Sequence, residues 1–361
     1  MAVSKKSRKS SARATRSTAT KKTPLTLAEA RTLARSTAPG SARAKAATAR
    51  AATTAPSSSP AKVGAERKRL AAEQRRVARQ RTEEYRATLA LLKQRGARKP
   101  GSPARGVRAA RVVAAPLQIL AEGDSWFDYP VPFFGGGIVA RLADRLGVPI
   151  LNLAKAGDEV RYMLGVAERK ELITRLTRGC PAGGPWDVLL FSGGGNDIVD
   201  NPMALWIRDY QPGASAAGHI HQPRLDAALS LVRAGYEDLI SLRDQLSPST
   251  HLIFHTYDFA IPDGRGICHL GPWLKPTFDL RKFPSQARAF EVVKLMLKQF
   301  AALLQDLASA NARVSVIDGQ GTLAPQVGSW HNELHPTKAG FNRFADKFHQ
   351  GLKAMFPERV F

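Results

Sequence analysis

From residue 112 onward, short and almost continuous apolar runs alternate with longer stretches of helical periodicity, and this alternation limits the fold more than any other feature of the chain. The runs are PLQILA, PILNLA, WDVLLFSG, HLIFHTYD and RVSVIDG. GIVARLADRLG, EVRYMLGVAERKELITRL, PRLDAALSLVRAGYEDLISLRDQL, SQARAFEVVKLMLKQFAALLQDLASA and PTKAGFNRFADKFHQGLKAMF separate or follow them and read as helices. A strand without a polar face is buried on both sides. The pattern therefore predicts an α/β domain over residues 112–361, with about five parallel strands between two helical layers. In such a sheet, ligands bind outside the carboxyl ends of the strands. The residues just after each apolar run are where chemistry should lie.

The first third of the chain is different material. Residues 1–60 are Ala, Ser, Thr, Lys and Arg with almost no large apolar side chains, and are expected to be a disordered basic tail. Residues 61–111 predict a long charged helix and a linker, ARKPGSPARG. The helical stretch runs without proline between Gly64 and Gly96. Its apolar positions, Leu70, Val77, Tyr85, Leu89 and Leu92, are sparse, which suggests a solvated or partner-dependent helix, or a short coiled-coil or surface-binding segment. Residues 1–116 hold 29 of the 54 Lys+Arg and 5 of the 30 Asp+Glu, leaving 25 of each to the remainder. The whole excess of positive charge thus lies outside the α/β part. Such a tail binds polyanions by neutralising phosphates, so nonspecific nucleic acid or an anionic surface is the expected partner of residues 1–100. Tyr85 is the only aromatic residue before position 120, so base stacking has no platform there. A solubilising or spacer arm is the alternative reading.

The two cysteines, Cys180 and Cys268, are too few for a disulfide scaffold; a single bridge between them stays open. No run approaches 18 apolar residues, and the basic N-terminus is not followed by a secretory apolar stretch. These features point to the cytoplasm, or to an organelle, since transit peptides are likewise Arg- and Ser-rich and poor in acids.

Four run ends carry groups of chemical interest. AEGDSWFDYP places Ser125 at a turn after the first run. Gly157 in AKAGDEV follows the second, where a glycine lets a backbone N–H approach a ligand at a helix start. FSGGGNDIVD follows the third, with Asn196 offering a side-chain amide and Asp197 able to orient it or cap the next helix. SWHNELHPTKAGF follows the fifth and brings His335 to the opening of the last helix. Turn chemistry explains each of these alone. Together they supply a nucleophile, a general base and donors for a developing oxyanion, which is what acyl transfer needs.

In order and type these blocks resemble the SGNH (GDSL-type) hydrolases: Gly123-Asp124-Ser125 with Trp126 in place of the common leucine, Gly157, Gly194-Gly195-Asn196-Asp197, and His335 before Pro336. The resemblance spans the α/β part and implies a flavodoxin-like three-layer sandwich and a serine esterase or lipase-like activity without cofactor or metal. It implies Ser125 as nucleophile, His335 as base, and an oxyanion hole from the N–H groups of Ser125 and Gly157 with the Asn196 amide. One position departs. The family's third triad member is an aspartate three residues before the histidine, and here that residue is Asn332, with Glu333 beside it. Asn332 is expected to orient His335, and the acid role is left unassigned between Glu333 and a carboxylate from another loop. His331 is a further imidazole.

Other chemistries fit less well. His219-x-His221 and His331-x3-His335 lack the carboxylate or cysteine set of a metal site. AEGDSW is not a dinucleotide-binding turn, and no Gly-Lys-Ser/Thr follows the glycines of a P-loop. The alternative from another class is a polyanion-associated protein whose tail carries the function and whose α/β domain is weakly active or inactive. The long segment after the fourth run, FAIPDGRGICHLGPWLKPTFDLRKF, is expected to form a lid or binding wall. Trp273 in it, with Trp126, Trp330, Phe133 and Phe134, suggests an apolar acyl-binding wall.

Overall fold

Each apolar run forms a strand in the computed structural model, which describes residues 24–37, 60–96, 116–129, 136–266 and 271–360. The strands are β1 (Ile119–Gly123), β2 (Ile150–Asn152), β3 (Val188–Ser192), β4 (His251–His255) and β5 (Val314–Ile317). They make one parallel sheet in the order β2-β1-β3-β4-β5, the flavodoxin-like order. Every residue of β1 and β3 is buried, which is why those runs carry no polar alternation. Ile119 pairs with Ile150 on one side and Val188 on the other, so the chain order reverses around β1. Loops leaving neighbouring strands at such a point diverge and open a crevice.

The helices are α1 (Leu27–Thr37), α2 (Pro60–Arg95), α3 (Ile138–Leu146), α4 (Val160–Met163), α5 (Val166–Arg178), α6 (Gln222–Leu246), α7 (Lys275–Leu280), α8 (Gln286–Ala310) and α9 (Lys338–Met355). α3 and α9 pack together as one layer, while α4, α5, α6 and α8 form the other. The expected helix EVRYMLGVAERKELITRL is broken at Gly165 into α4 and α5. Among the described residues, no helix is long and apolar enough to cross a membrane.

The N-terminal third departs from expectation. α1 lies inside the stretch expected to be disordered, and it packs against α2. Leu25, Leu27 and Ala30 join Tyr85, Leu89 and Leu92 of α2 in the same core as the sheet. The reason is geometric: positions 85, 89 and 92 fall on one helical stripe, and so do Leu27, Ala30 and Ala34. Two narrow stripes facing each other bury what neither could bury alone. The Tyr85 ring lies 6.0 Å from Trp186, and its hydroxyl is 3.3 Å from Cys180 Sγ. The sheet's core therefore continues into α1 and α2, across the boundary expected at residue 112. Residues 1–23, 38–59, the linker ARKPGSPARG, Phe133, Phe134 and Cys268 lie outside the described residues.

Candidate active site

Ser125 is placed by a turn built on close backbone approach. At Gly123 an added Cβ would lie 2.6 Å from the Ser192 carbonyl oxygen, so glycine is what lets β1 end tight against β3. The Asp124 N–H then donates to that carbonyl at 3.0 Å, and the Asp124 carboxylate accepts from the Trp126 N–H at 2.9 Å, from Ser192 Oγ at 2.8 Å and from the Tyr257 hydroxyl. Burial pushes the Asp124 carboxyl up to about 6 even though these donors pull it down. The carboxyl is a structural bracket beneath the serine. His255 completes the bracket, its Nε2 2.7 Å from Ser192 Oγ, and burial lowers its imidazole to about 4.

His335 arrives from the opposite layer. Thr337 caps α9, its Oγ1 accepting from the Gly340 N–H, and Pro336 precedes it, so the chain enters the helix with His335 held inward and buried. Ser125 Oγ and His335 Nε2 are 2.6 Å apart, across a sequence separation of 210 residues. Burial, with the neighbouring His331, holds the His335 imidazole down at about 3, so it is neutral at ordinary pH and can accept the serine proton.

Behind His335 stands Asn332, also fully buried. Its Oδ1 accepts from His335 Nδ1 at 3.0 Å, from the His335 N–H at 2.9 Å and from the Leu334 N–H at 3.0 Å. Three donors on one atom identify it as the oxygen of the amide, and the Nδ1–H tautomer of His335 follows. Glu333 points the other way. Its carboxylate accepts backbone N–H groups of Gly264, Trp273, Leu274 and Lys275 at 2.6–2.9 Å, and so folds the loop after β4. Glu333 is thus occupied in architecture and makes no contact with His335, as expected for adjacent residues on an extended segment.

Asn196 sits in a 3-10 turn after β3 and donates its Nδ2 to the Asp158 carbonyl at 2.8 Å. Asp197 accepts the Val160 N–H at 2.9 Å, at the start of α4, and so bonds the helix before it in the chain rather than capping the turn that follows. These two bonds lace the loop after β3 to the loop after β2. Gly157 lies on the latter loop at φ +84, a left-handed conformation that favours glycine, and is exposed rather than on the cleft wall. Ser125, Asn196, Asn332 and His335 are therefore drawn together, and Gly157 joins them only through its loop.

The cleft beside Ser125 encloses about 540 Å³, part of it open to solvent. Of the described residues expected to build an apolar wall, Trp126 lines the cleft while Trp273 and Trp330 do not. Trp330 is buried behind Trp126 in edge contact at 6.3 Å. The wall is mostly aliphatic: Val293, Met296 and Leu297 from α8, Ile198 and Met203 from the turns after β3, and Leu274. His219 is remote from this cleft: its Nδ1 donates to the Ser215 carbonyl, its Nε2 accepts from the Gln211 N–H, and its ring stacks on Tyr210 at 5.2 Å.

Sequence reasoning also missed two residues that brace the site. Tyr129 stacks on the His335 ring, with centroids 4.4 Å apart. Arg81 of α2 reaches Asp128 Oδ2 at 2.7 Å and the Ala154 carbonyl at 3.0 Å, touching the loops that follow β1 and β2.

Among solved structures, a lipase from a goat rumen metagenome is 18% identical over 65% of this chain and 96% of its own, with a TM-score of 0.42. An extracellular lipase from Streptomyces rimosus is 15% identical over 65% of this chain and 99% of its own, with a TM-score of 0.43. A family 3 carbohydrate esterase from Clostridium thermocellum is 15% identical over 68% of this chain and 100% of its own, with a TM-score of 0.40. No curated protein matches the chain. Residues 121–343, from the middle of β1 into the first turns of α9, match the GDSL-like lipase/acylhydrolase family. That span takes in Ser125, Asn196 and His335 and most of the chain, which belongs to the GDSL-like lipase/acylhydrolase family.

Proposed function

We propose that the protein is a serine carboxylic ester hydrolase acting on esters with an apolar acyl group. The 2.6 Å contact between Ser125 Oγ and His335 Nε2, on the wall of a mostly aliphatic cleft, carries this reading. Ser125 Oγ attacks the ester carbonyl carbon while its proton passes to His335 Nε2. The tetrahedral oxyanion is held by the Ser125 N–H and by the second amide hydrogen of Asn196, both on the cleft wall, whereas Gly157 stands off it. Among the described residues, the Ser125 N–H has no hydrogen-bond partner within the chain, so it is available as a donor. Collapse breaks the bond to the alcohol oxygen, which takes the proton from His335. Water, deprotonated by His335, then attacks the acyl carbon, the bond to Ser125 Oγ breaks, and the proton on His335 passes to Oγ as the acid leaves.

Asn332 supplies orientation without charge. Replacing the triad acid by Asn costs a serine protease about 10⁴ in kcat, partly through a wrong tautomer. Here the triple acceptance at Oδ1 supports the productive tautomer, so the lost charge is the main cost. The test is hydrolysis of chromogenic acyl esters of increasing chain length by the full chain and by Ser125→Ala. The variant should lose turnover of every ester while keeping its thermal unfolding midpoint. Turnover that survives in Ser125→Ala would refute the assignment.

A further inference from the structure

We propose that Tyr129 is a positioning residue that takes over both tasks a triad acid would perform, using its ring face for one and its hydroxyl for the other. The inference rests on the serine hydrolase reading above.

The ring comes first. When Ser125 gives up its proton, His335 becomes an imidazolium with no carboxylate beside it. What it has is the face of Tyr129, with ring centroids 4.4 Å apart and planes 28° from parallel. A cation over an aromatic face within about 6 Å is attracted by the ring quadrupole, and more strongly where water is excluded. Tyr129 and His335 are both buried, so the attraction is little screened. The neutral imidazole of the resting state draws much less from that face, so the contact strengthens as charge develops, and that difference lowers a barrier. The Tyr129 ring is held in turn by Phe341 at 5.4 Å, while the edge of His335 meets Trp273 at 6.0 Å.

The hydroxyl does the second task. With Asn332 Oδ1 committed to three donors, Nδ2 faces the Tyr129 oxygen at 3.2 Å and donates to it. The Tyr129 proton is then directed to His331 Nδ1, 3.0 Å away. Donors and acceptors run in one sense from Asn332 through Tyr129 to His331. A flipped Asn332 amide would set an N–H against three donors and present its oxygen to Tyr129, so the hydroxyl reinforces the orientation that fixes the His335 tautomer.

The probe is a fluorophosphonate, whose P–F bond breaks as Ser125 Oγ bonds to phosphorus, fluoride leaving and the serine proton passing to His335. Labelling rates and kcat on p-nitrophenyl butyrate are measured for Tyr129→Leu, which removes the ring, and Tyr129→Phe, which keeps it. Each is made alone and with Asn332→Asp. Tyr129→Leu should lower both rates roughly 10-fold with KM within about twofold. Tyr129→Phe should lower them about threefold. With the acid restored by Asn332→Asp, the loss on Tyr129→Leu should shrink to under about threefold, because the carboxylate then carries the charge. Equal losses in both backgrounds, or a rise in KM alone, would make Tyr129 a packing residue and overturn the proposal. If Tyr129→Leu does not fold, the same comparison is read from Tyr129→Phe, where equal losses again overturn it. A full chain that is not labelled at Ser125 refutes the hydrolase reading itself, a different failure from a labelled chain indifferent to Tyr129.

Discussion

The α1–α2 pair and the α/β domain look like parts of two different proteins, one strongly basic and one neutral, yet they bury a common core. The family match begins at residue 121, and nothing in it includes Tyr85 or Leu92. What separates the regions is the solvent face, where charge collects. What joins them is a thin apolar stripe that composition averages away. Charge segregation therefore marks a difference in surface chemistry and is a poor guide to where a folding unit ends. The regions also meet at the site, since Arg81 bonds the loop after Ser125 through Asp128 and the loop before Gly157 through Ala154.

The harshest way to break this comparison is to delete residues 1–100. Fully burying a large apolar side chain contributes about 1.5–3 kcal/mol, and Tyr85, Leu89 and Leu92 alone then account for roughly 4.5–9 kcal/mol. The truncated chain should melt about 10 °C or more below the full chain, or aggregate. Calorimetry showing coincident transitions would mean that α1 and α2 rest on the domain without stabilising it.

Changes confined to the dyad should do the reverse, moving rate and pH response while leaving the melting temperature in place. A base works when unprotonated, so activity is lost as pH falls through its pKa. With His335 held at about 3, kcat/KM should stay level from pH 8 to about 4. Asn332→Asp places an anion against the ring, raises the His335 pKa and should bring the acidic limb up by about 1–3 units while kcat at pH 8 rises. An acidic limb already near 6.5 in the unaltered chain would contradict the burial argument.

The smallest effect should come from the contact that joins the regions. Arg81→Met keeps the aliphatic stem and removes the bonds to Asp128 and Ala154. A partly exposed ion pair is worth little, so stability should change by at most about 1 kcal/mol. Because both partners lie on loops that flank the site, kcat should fall roughly two- to fivefold. Steady-state kinetics with unchanged kcat would confine Arg81 to a surface role.

Much of the sheet was legible because a strand buried on both faces leaves a continuous apolar run, and the crevice followed from strand ends. Ser125 and Asn196 were legible because each follows closely on such an end, His335 because it precedes Pro336 at the opening of the last helix, and Asn332 only through its place three residues before that histidine in the family pattern. Tyr129 was not: its role depends on a turn that lays its ring on His335, which no spacing encodes. Glu333 looked like a candidate acid because type and proximity can be read, whereas four amides converging on it from the loop after β4 cannot. The docking of α2 escaped for a related reason. Tyr85, Leu89 and Leu92 form a stripe too narrow to stand out among arginines until α1 covers it.

The seat around Asn332 Oδ1 has a consequence for how the protein can change. Two main-chain N–H groups and one imidazole N–H already converge there, an environment that would hold a carboxylate better than an amide. Asparagine and aspartate codons differ by a single purine at the first base. A charged third member therefore lies one nucleotide away from a backbone already shaped to receive it, with no loop to rebuild and no second substitution to await.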